Sequence, residues 1–558
     1  MTAAAIEQPE APRSPFDGLL SKTSTLWVYA LLVFLAALHL HLALTRSINW
    51  DEFWHYGLVE TIARGDSFQP LQTLFVRLFS WWLPQTPGNE IDHIITARLF
   101  MLGFTGIAAF ATYKVARRIT GHTGACLAVA AYLGGGFVLN HATSFRIDPM
   151  VAASLSSALA IAMHSRLRAG SLVAMGMLIA LSAMFTIKFV LWLPAFAGVA
   201  LWRWEEEGFE WTYVLRWVGA GLVALAGFAI LFALHSWPLE SSASVASPTS
   251  YAGGSAAKMF GILHSPYLPM TKEAVLFALP LAAAVIAAPF LIAKSDLPLA
   301  KRTAVFALWL PVLTPLFYHN SAPYFYVFIL PPVAVAASVS LAFAAKRYGA
   351  GPISGIIALF SLVVWFGGEA PVKEKQHTLL NAVHATFEEP VAYFDCCAMV
   401  GSFRQMNGFL TPWGLEGYRN SGVPRFKQAM EQGPVPLLLD NEQMFAPLFS
   451  GAANDAFHPK DAQALRSNYR RFWGDIFIAG RNLAPGETIA WNVLVPGTYT
   501  VSDAMVIDGR QVAAGAQVEL SRGLIEIRNL SSEQANLTWG RDTRVPDAPP
   551  VQDYWGGF

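Results

Sequence analysis

The chain has 558 residues, of which 54% are hydrophobic and only 14% are charged, and its mean hydropathy is +0.41. A soluble domain carries roughly 25% charged residues, so this composition excludes a soluble enzyme and a disordered scaffold. The 38 basic and 38 acidic residues balance to a net charge of zero, without the long basic run that a nucleic-acid partner would require. Three cysteines, of which Cys396 and Cys397 are adjacent, cannot build a disulfide framework or a four-ligand zinc site. The composition predicts an integral membrane protein.

Apolar blocks occupy most of the first two thirds of the chain. A membrane-spanning helix needs about 20 apolar residues, and Leu26–Leu44 meets this requirement. Residues 1–23 are predicted to be a cytoplasmic tail, and the first span a retained signal anchor. Ten further blocks follow, and several need flanking residues to reach full length: Leu99–Tyr113, Gly124–Leu139, Met150–Met163, Leu172–Phe185, Phe189–Leu201, Val218–Leu234, Ala274–Ala293, Ala304–Phe317, Val327–Ala344 and Ile353–Phe366. The pattern predicts about eleven transmembrane helices within residues 24–367.

The distribution of basic residues predicts the orientation of these spans. Short cytoplasmic loops carry an excess of Lys and Arg, and with a cytoplasmic N-terminus every second loop is basic. The residues concerned are Lys114, Arg117, Arg118, Arg166, Arg168, Lys294, Lys301, Arg302, Lys346 and Arg347. This orientation makes residues 45–96 and 236–272 long exoplasmic loops, and an odd number of spans places the C-terminal part outside. The second loop is rich in Ser, Ala and Gly, and we expect Ser236–Thr271 to form a lid.

Residues 368–558 are predicted to form an exoplasmic soluble domain, because the hydropathy drops after Gly368. Its first part mixes the strand-like Val391–Phe394 and Leu437–Leu439 with the helix-like Arg425–Gln432. Three later segments alternate polar and apolar residues, which is typical of strands: Thr498–Val501, Gln517–Leu520 and Leu524–Arg528. Asp508-Gly509 is a hairpin signal. The predicted fold is therefore a mainly α, polytopic membrane protein with a C-terminal α/β domain that ends in a β-sandwich at about residues 482–540.

An acidic pair, Asp51-Glu52, follows the first span and is flanked by aromatic residues and by His55 and Tyr56. Two neighbouring carboxylates suit general base catalysis or a cation site. We expect interfacial helices at Leu58–Ala63 and Leu71–Leu83. The alternative is that Asp51 only caps an interfacial helix, where its charge complements the helix dipole.

Further polar groups lie at the predicted outer ends of later spans. Asp148, with Arg146 before it, opens the fourth span, although Asp148-Pro149 is also a typical helix start. Lys188 is a lone cation in a turn between two apolar spans, where it is either functional or snorkelling. The tenth span opens with polar and aromatic residues that an aromatic belt explains only in part: His319, Asn320 and Tyr324.

The acidic pair after the first span, a second Asp opening the fourth, and the exoplasmic tail resemble the GT-C superfamily of membrane glycosyltransferases. The families most similar in these features are the bacterial lipid A aminoarabinose transferases and the protein O-mannosyltransferases. Asp51-Glu52 matches the acidic motif that this superfamily carries in its first exoplasmic loop, and Asp148-Pro149-Met150 is similar to its second acidic site. The resemblance covers about residues 20–367 and leaves the substrate open.

The resemblance implies an enzyme of the bacterial inner membrane, with its C-terminal domain in the periplasm. It would move a sugar from a polyprenyl-phosphate donor to a glycan, lipid or protein hydroxyl, and invert the anomeric centre. Asp51 would act as base beside Glu52, while other residues would bind the donor phosphate (Arg146, Lys188, His319) or substrate (His55, Tyr56, Asn320, Tyr324). Glu52 and Asp148 are also candidates to share a divalent cation. A chain-transferring ligase or polymerase, and a lipid or glycan transporter, stay as alternatives.

Overall fold

A computed structural model describes residues 15–66, 72–237, 259–263, 265–368, 371–408, 410, 412–441, 445–450, 456–541 and 543–556. The chain forms two compact units. The described parts of residues 1–44, 70–74 and 98–368 build the first, and those of residues 45–69, 75–97 and 369–558 build the second. Most of the predicted lid, residues 238–258 and 264, lies outside the described residues.

The first unit is helical, and its helices coincide with the predicted apolar blocks. They are Pro15–Thr45, most of Glu90–Leu133, Gly136–His141, Ile147–His164, Ala169–Phe185, Leu193–Glu206, Trp211–Ser236, Met270–Leu276, Leu279–Ala293, Leu299–Trp309, Phe325–Tyr348 and Ala350–Phe366. Short 3-10 turns, Ile187–Trp192 and Leu310–Leu316, precede or extend two of them. The helix Glu90–Leu133 is broken at Gly121, whose φ of 76° leaves the helical region.

Seven of the described helices are long and apolar enough to cross a membrane. The pair Met270–Leu276 and Leu279–Ala293, bent by 95°, makes an eighth if it forms one span, and two shorter apolar helices are Ala169–Phe185 and Ala350–Phe366. The chain is therefore a multi-pass membrane protein, as its composition predicts. The number of eleven crossings stays a prediction, because several predicted blocks form short, bent or broken helices.

Small residues bring neighbouring helices of the first unit close together. A Cβ added to Gly198 would lie 2.5 Å from the Cβ of Ala307, and one added to Gly176 would lie 2.7 Å from Val223. Membrane helices associate through close packing of this kind, because burial of apolar surface provides little drive inside a lipid phase. At these two positions, glycine therefore allows the backbones of neighbouring helices to approach each other closely, because it has no side chain.

The second unit contains a mixed sheet with helices packed beside it. Its strands are β1 Ala392–Phe394, β2 Arg404–Gln405, β3 Leu437–Leu439, β4 Tyr469–Trp473, β5 Ile476–Leu483, β6 Thr488–Val493, β7 Gly497–Val501, β8 Met505–Ile507, β9 Arg510–Val512, β10 Gln517–Leu520, β11 Gly523–Asn529 and β12 Ala535–Trp539. One sheet has the order β10-β7-β12-β5-β3-β1-β2, with β4 paired to β5, and the other has the order β6-β11-β8-β9. The parallel pairs β1–β2 and β1–β3 form the α/β part.

The last strands confirm the predicted β-rich region. Apolar residues from both sheets share one buried core, which includes Trp491, Tyr499, Ile527 and Leu537. The turn between β8 and β9 has Asp508 at φ 46° and Gly509 at φ 79°, as a type I′ hairpin requires. Two sheets around a common core make this region a small β-sandwich.

The remaining helices of the second unit are Trp50–Ala63, Leu74–Ser80, Lys373–Thr386, Pro412–Ser421, Arg425–Gln432, Ala446–Ser450 and Pro459–Asn468. The first two come from the loop that follows the first span. The buried Gln376 side chain ties this loop to the helix Lys373–Thr386, since it accepts from Ile48 N at 2.9 Å and donates to Ile48 O at 2.8 Å. Residues 45–69 and 75–97 are thus integral to the second unit.

A buried glutamate, Glu90, connects two other segments of the second unit through hydrogen bonds. Glu90 accepts hydrogen bonds from His384 Nε2 at 3.0 Å and from Ser402 Oγ at 2.6 Å. Burial of His384 opposes its protonation, but the hydrogen bond and the negative charge of Glu90 outweigh this effect and raise the pKa of His384.

Because the folded pKa of His384 lies above its unfolded value of about 6.5, its pairing with Glu90 stabilises the protein fully below that pH. The contribution is lost as the pH rises through the folded pKa. We expect His384→Gln to lower the apparent melting temperature of the purified protein at low pH and to flatten its pH dependence. His377→Gln, on the same helix but hydrogen-bonded to the neutral Asn89 amide, should keep the wild-type slope. Equal slopes in wild type and His384→Gln would contradict this assignment.

Candidate functional site

The acidic pair lies at the start of the helix Trp50–Ala63, which begins about two turns before the predicted interfacial helix Leu58–Ala63. Asn49 is the N-cap, and its side chain accepts from Asp51 N at 3.0 Å. The Glu52 carboxylate returns to accept from Asn49 N at 3.2 Å, which completes a capping box. The alternative that Asp51 caps this helix is therefore wrong, although its charge does lie in the first turn.

The capping box distinguishes the two carboxylates. Glu52 is 1% exposed and uses one oxygen to satisfy the helix start, whereas Asp51 is only half-buried. The positive end of the helix dipole favours negative charge at both residues. A general base must reach the proton that it removes, so Asp51 is the better placed carboxylate of the pair, with Glu52 supporting the turn.

The same helix holds His55 and Tyr56, both of which are buried in the second unit. The His55 ring lies 4.9 Å from the Phe75 ring, in an edge-on arrangement. The Tyr56 hydroxyl donates to Glu60 at 2.5 Å and lies 2.5 Å from His93 Nδ1. Burial and the Glu60 carboxylate together raise the pKa of Tyr56, so this hydroxyl stays protonated.

In the first unit, Asp148 is the centre of a buried charge cluster. It lies in the first turn of the helix Ile147–His164, whose N-cap residue is Arg146. Asp148 Oδ1 accepts from Lys188 Nζ at 2.8 Å, and Arg146 Nε lies 3.4 Å from Oδ2. The side chains of Asp148, Lys188 and Arg146 are 1%, 7% and 9% exposed, respectively. The expected N-cap role of Asp148 is wrong, because an ion pair engages its carboxylate instead.

Lys188 does not snorkel. Its backbone N donates to Thr186 Oγ1 at 3.3 Å, which starts the 3-10 turn Ile187–Trp192 and directs the segment inward. The ammonium group is buried against Asp148 rather than extended towards water. Lys188, which stands alone between two apolar spans in the sequence, therefore forms a tertiary ion pair with Asp148.

Aromatic rings line the cluster. The Arg146 guanidinium carbon lies 3.3 Å from the centroid of the Tyr324 ring, and Lys188 Nζ lies 5.8 Å from that centroid. Lys188 Nζ also lies 6.0 Å from the centroid of the Phe325 ring and 5.7 Å from that of Phe328. Ring faces attract cations, and the cluster brings two cations and one carboxylate together. Such a cluster is suited to an anionic ligand.

His319 and Asn320 precede the helix Phe325–Tyr348 and are half-buried. His319 N donates to Met259 O at 2.8 Å, and Ser265 Oγ donates to His319 O at 2.6 Å. Asn320 Oδ1 lies 3.5 Å from the Tyr324 hydroxyl. The described residues on both flanks of position 264 therefore pair with the segment that carries His319.

The predicted site residues fall into two groups. The first unit brings Arg146, Asp148, Lys188 and Tyr324 together, with Asn320 beside Tyr324. The second unit holds Asp51, Glu52, His55 and Tyr56 on one helix. The sequence analysis does not predict Phe325 and Phe328 as site residues, because nothing in the sequence distinguishes them from other aromatic residues in an apolar span.

No group of three or more His, Cys, Asp or Glu residues that could hold a metal ion occurs among the residues that the structure describes. The two predicted metal ligands already have protein partners. Glu52 accepts from a backbone N–H in its capping box, and Asp148 faces two cations. A divalent cation at Asp148 would compete with Lys188 and Arg146 for the same oxygens.

No protein-family model matches the chain, and no curated protein matches it. Among solved structures, the chain is similar to ArnT from Cupriavidus metallidurans bound to undecaprenyl phosphate, at 14% identity and a TM-score of 0.51, over 79% of this chain and 96% of ArnT. It is also similar to the Archaeoglobus fulgidus oligosaccharyltransferase tethered with an acceptor peptide, at 11% identity and a TM-score of 0.50, over 90% and 94% of the two chains. Both are GT-C glycosyltransferases. The chain has the GT-C fold, and the resemblance predicted from its sequence is confirmed at that level.

The buried cluster predicts a large thermodynamic coupling between Asp148 and Lys188. Removing one partner of a buried ion pair leaves an uncompensated charge and costs about 3–5 kcal/mol. We therefore expect Asp148→Asn to lower the apparent melting temperature strongly, and Asp148→Asn with Lys188→Met to recover part of the loss. Asp296→Asn, at an exposed carboxylate of the same unit, is the matched control. A double variant no more stable than Asp148→Asn would show that the pair is not coupled.

Proposed function

We propose that the protein is a glycosyltransferase that moves a sugar from a polyprenyl-phosphate donor to an acceptor hydroxyl. The observation that carries the proposal is the buried cluster of two cations and one carboxylate, Arg146–Asp148–Lys188, within a chain of GT-C fold. The similar ArnT structure is bound to undecaprenyl phosphate, which supports a lipid phosphate as the anion. Cations near a departing phosphate stabilise the charge that develops on it.

The orientation follows from the basic loops, which support a cytoplasmic N-terminus and an exoplasmic C-terminal domain. In a bacterium, the proposed location of the multi-pass chain is the inner membrane, with the second unit in the periplasm. Nucleotide sugars are cytoplasmic, and the sequence has no Gly-rich phosphate loop to bind them. A donor carried by a lipid fits a site on the opposite side.

We assign the predicted residues the following roles. Asp51, half-buried at the start of its helix, takes the proton of the acceptor hydroxyl as that oxygen attacks the anomeric carbon. The lipid phosphate leaves with the electrons of the broken bond, and direct displacement inverts the anomeric centre. Glu52 assists by holding the helix start. The phosphate ligands are Arg146, Lys188 and His319, and the substrate-contacting residues are His55, Tyr56, Asn320 and Tyr324.

Transfer of a whole glycan chain is the second candidate function. It is favoured by the similarity to an oligosaccharyltransferase, which covers 90% of this chain. The size of the added glycan distinguishes the two reactions, and release of polyprenyl phosphate distinguishes both from a transporter. Mass spectrometry of glycolipids and envelope glycans from a deletion strain would identify the sugar and the acceptor.

The catalytic role of Asp51 is tested by Asp51→Asn, which keeps size and hydrogen bonding but removes basicity. We expect turnover to fall by roughly 10²-fold or more, while the melting temperature stays close to that of the wild type. Turnover is measured as release of polyprenyl phosphate from undecaprenyl-phosphate-linked sugars by the purified protein in liposomes containing envelope extract. Glu374→Gln, an exposed carboxylate elsewhere in the second unit, is the control. Near-normal turnover in Asp51→Asn would refute the assignment.

A divalent cation shared by Glu52 and Asp148 is a further proposal, since hard cations often bridge carboxylates and phosphates. If a cation braces the leaving phosphate, turnover should be lost in chelator and restored by added Mg²⁺ or Mn²⁺. Full turnover of chelator-stripped protein would contradict the metal proposal, and the cationic side chains would then be the only phosphate ligands of this mechanism. Lys188→Met, which lacks one of these cations, is treated with chelator and added cation in the same way for comparison.

A further inference from the structure

A cavity of about 430 Å³ lies within the second unit, lined by residues of β4, β5 and the helices that precede them. Its volume is in the range of pockets that hold small ligands. Four arginines line it, together with Phe449 and Phe477: Arg466, Arg470, Arg471 and Arg481. None of the residues assigned a role above lines this cavity, which we name the arginine pocket.

The secondary structure explains why the four arginines meet at one place. The strands β4 and β5 are antiparallel neighbours, and they carry Arg470, Arg471 and Arg481. Arg466 lies in the last turn of the helix Pro459–Asn468, which leads directly into β4. Three consecutive elements of the chain therefore contribute guanidinium groups to one cavity.

The protein partners of these arginines carry no charge. Three of the arginines donate hydrogen bonds to neutral oxygens, and the fourth lies over an aromatic ring. The contacts are Arg470 Nε to Asn482 Oδ1 at 2.8 Å, Arg470 Nη1 to Thr538 Oγ1 at 2.7 Å, Arg466 Nε to Ala462 O at 3.2 Å, Arg481 Nη1 to Ser467 O at 3.5 Å, and the Arg471 guanidinium carbon to the centroid of the Phe477 ring at 5.2 Å. Among the residues that the structure describes, none of the four arginines forms an ion pair with a carboxylate.

The positive charge of the pocket stays uncompensated when its surroundings are included. Burial raises the pKa of Asp475, and the charge of Arg471 opposes this shift, but Asp475 does not line the pocket. Four arginines still outnumber one carboxylate if Asp475 is counted. Arg481 Nε is buried and has no hydrogen-bond partner within the described part of the chain, so at least one buried donor of the cluster is unused.

Protection of a sheet edge is the alternative explanation for some of these charges. Charged side chains on edge strands prevent pairing with other chains, and β4 pairs with β5 alone among the described strands. This role would account for Arg470 and Arg471. It does not account for Arg466, which lies on a helix, or for Arg481, which pairs with Leu537 of β12 inside the sheet. The position of all four around one cavity favours a ligand instead.

We propose that the arginine pocket binds a phosphate monoester. Planar guanidinium groups form charge-assisted hydrogen bonds that match phosphate oxygens. A phosphate monoester carries a charge of about −1.5 to −2 at neutral pH and three strong acceptor oxygens, whereas a carboxylate carries a single charge on two oxygens. Four arginines therefore suit the phosphate monoester better, and Phe449 provides apolar surface for the carbon skeleton of the ligand.

The inference concerns binding and does not depend on the proposed transfer reaction. A phosphate monoester reaches the pocket either on a soluble saccharide or on the head group of a lipid. The two sources share the chemistry that the arginines recognise, so the experiment has one arm for each.

The first arm measures binding of glucose 6-phosphate to the full-length protein in phosphatidylcholine nanodiscs by isothermal titration calorimetry. Glucose 6-sulfate, which has a similar shape but a single charge, and neutral glucose are the comparison ligands. We expect the phosphate to bind about tenfold more tightly than the sulfate, because its second charge strengthens the hydrogen bonds to the arginines. Glucose should not bind.

The variants are Arg466→Gln and Arg471→Gln, which change exposed side chains of the pocket and should keep the wild-type melting temperature. We expect each to weaken binding of the phosphate about tenfold, because each removes one charge-assisted contact. The controls are Arg510→Gln and Arg528→Gln, which remove exposed arginines outside the pocket. Their affinity should equal that of the wild type.

The second arm uses native mass spectrometry of the detergent-solubilised protein. It compares retention of short-chain phosphatidic acid, a phosphate monoester, with that of short-chain phosphatidylglycerol, a diester. Selective binding of either monoester that the pocket variants weaken supports the inference, and the monoester that binds identifies the source. The inference is overturned if neither monoester binds, if the sulfate and the diester bind as tightly as the monoesters, or if the pocket variants bind like the wild type. Neither arm requires turnover, so a failed transferase assay leaves this result interpretable.

Discussion

The charge balance around Asp148 is the constraint on which the first unit depends. A carboxylate buried among apolar helices is costly unless it is paired and hydrogen-bonded, and Asp148 obtains this from Lys188 and Arg146. Each partner is in turn fixed by its own segment. Thr186 starts the turn that carries Lys188, and the Arg146 guanidinium carbon lies 3.3 Å from the centroid of the Tyr324 ring, at the start of another helix. One ion cluster thus ties three separate chain segments together.

The same cluster has a chemical consequence. Its two cations and one carboxylate lie in a low-dielectric surrounding, where electrostatic interactions are stronger than in water. Replacing a buried ion pair by hydrophobic residues is often at least as stable, so stability alone does not account for the cluster. A lipid phosphate is therefore the ligand proposed for its two cations.

In the second unit, the adjacent carboxylates Asp51 and Glu52 lie in different environments. Glu52 closes the capping box with Asn49 and is buried, whereas Asp51 in the same turn is half-buried. On a helix, residues one apart point in directions about 100° apart, so a carboxylate pair in sequence does not act as a pair in space.

The regular elements were largely predictable because they follow local patterns. Apolar blocks became helices, the alternating segments became β7, β10 and β11, and Asp508-Gly509 became the predicted hairpin turn. Helix starts were less predictable. Asp51 and Asp148 both have sequences typical of N-caps, yet Asn49 and Arg146 occupy those positions. The cap is the residue just before the first helical residue, and the helix with Asp148 begins at Ile147, so that Asp148 lies inside the first turn.

The sequence by itself determined that the chain is a polytopic membrane protein with a β-rich end, because hydropathy and residue alternation act over short distances. It also marked the polar residues that stand out against an apolar background. Only the tertiary structure decided that Lys188 pairs with Asp148, 40 residues away, and that residues 45–69 and 75–97 build the second unit. Both depend on contacts between remote segments, whose formation is governed by packing and charge compensation in three dimensions, and no local pattern encodes them.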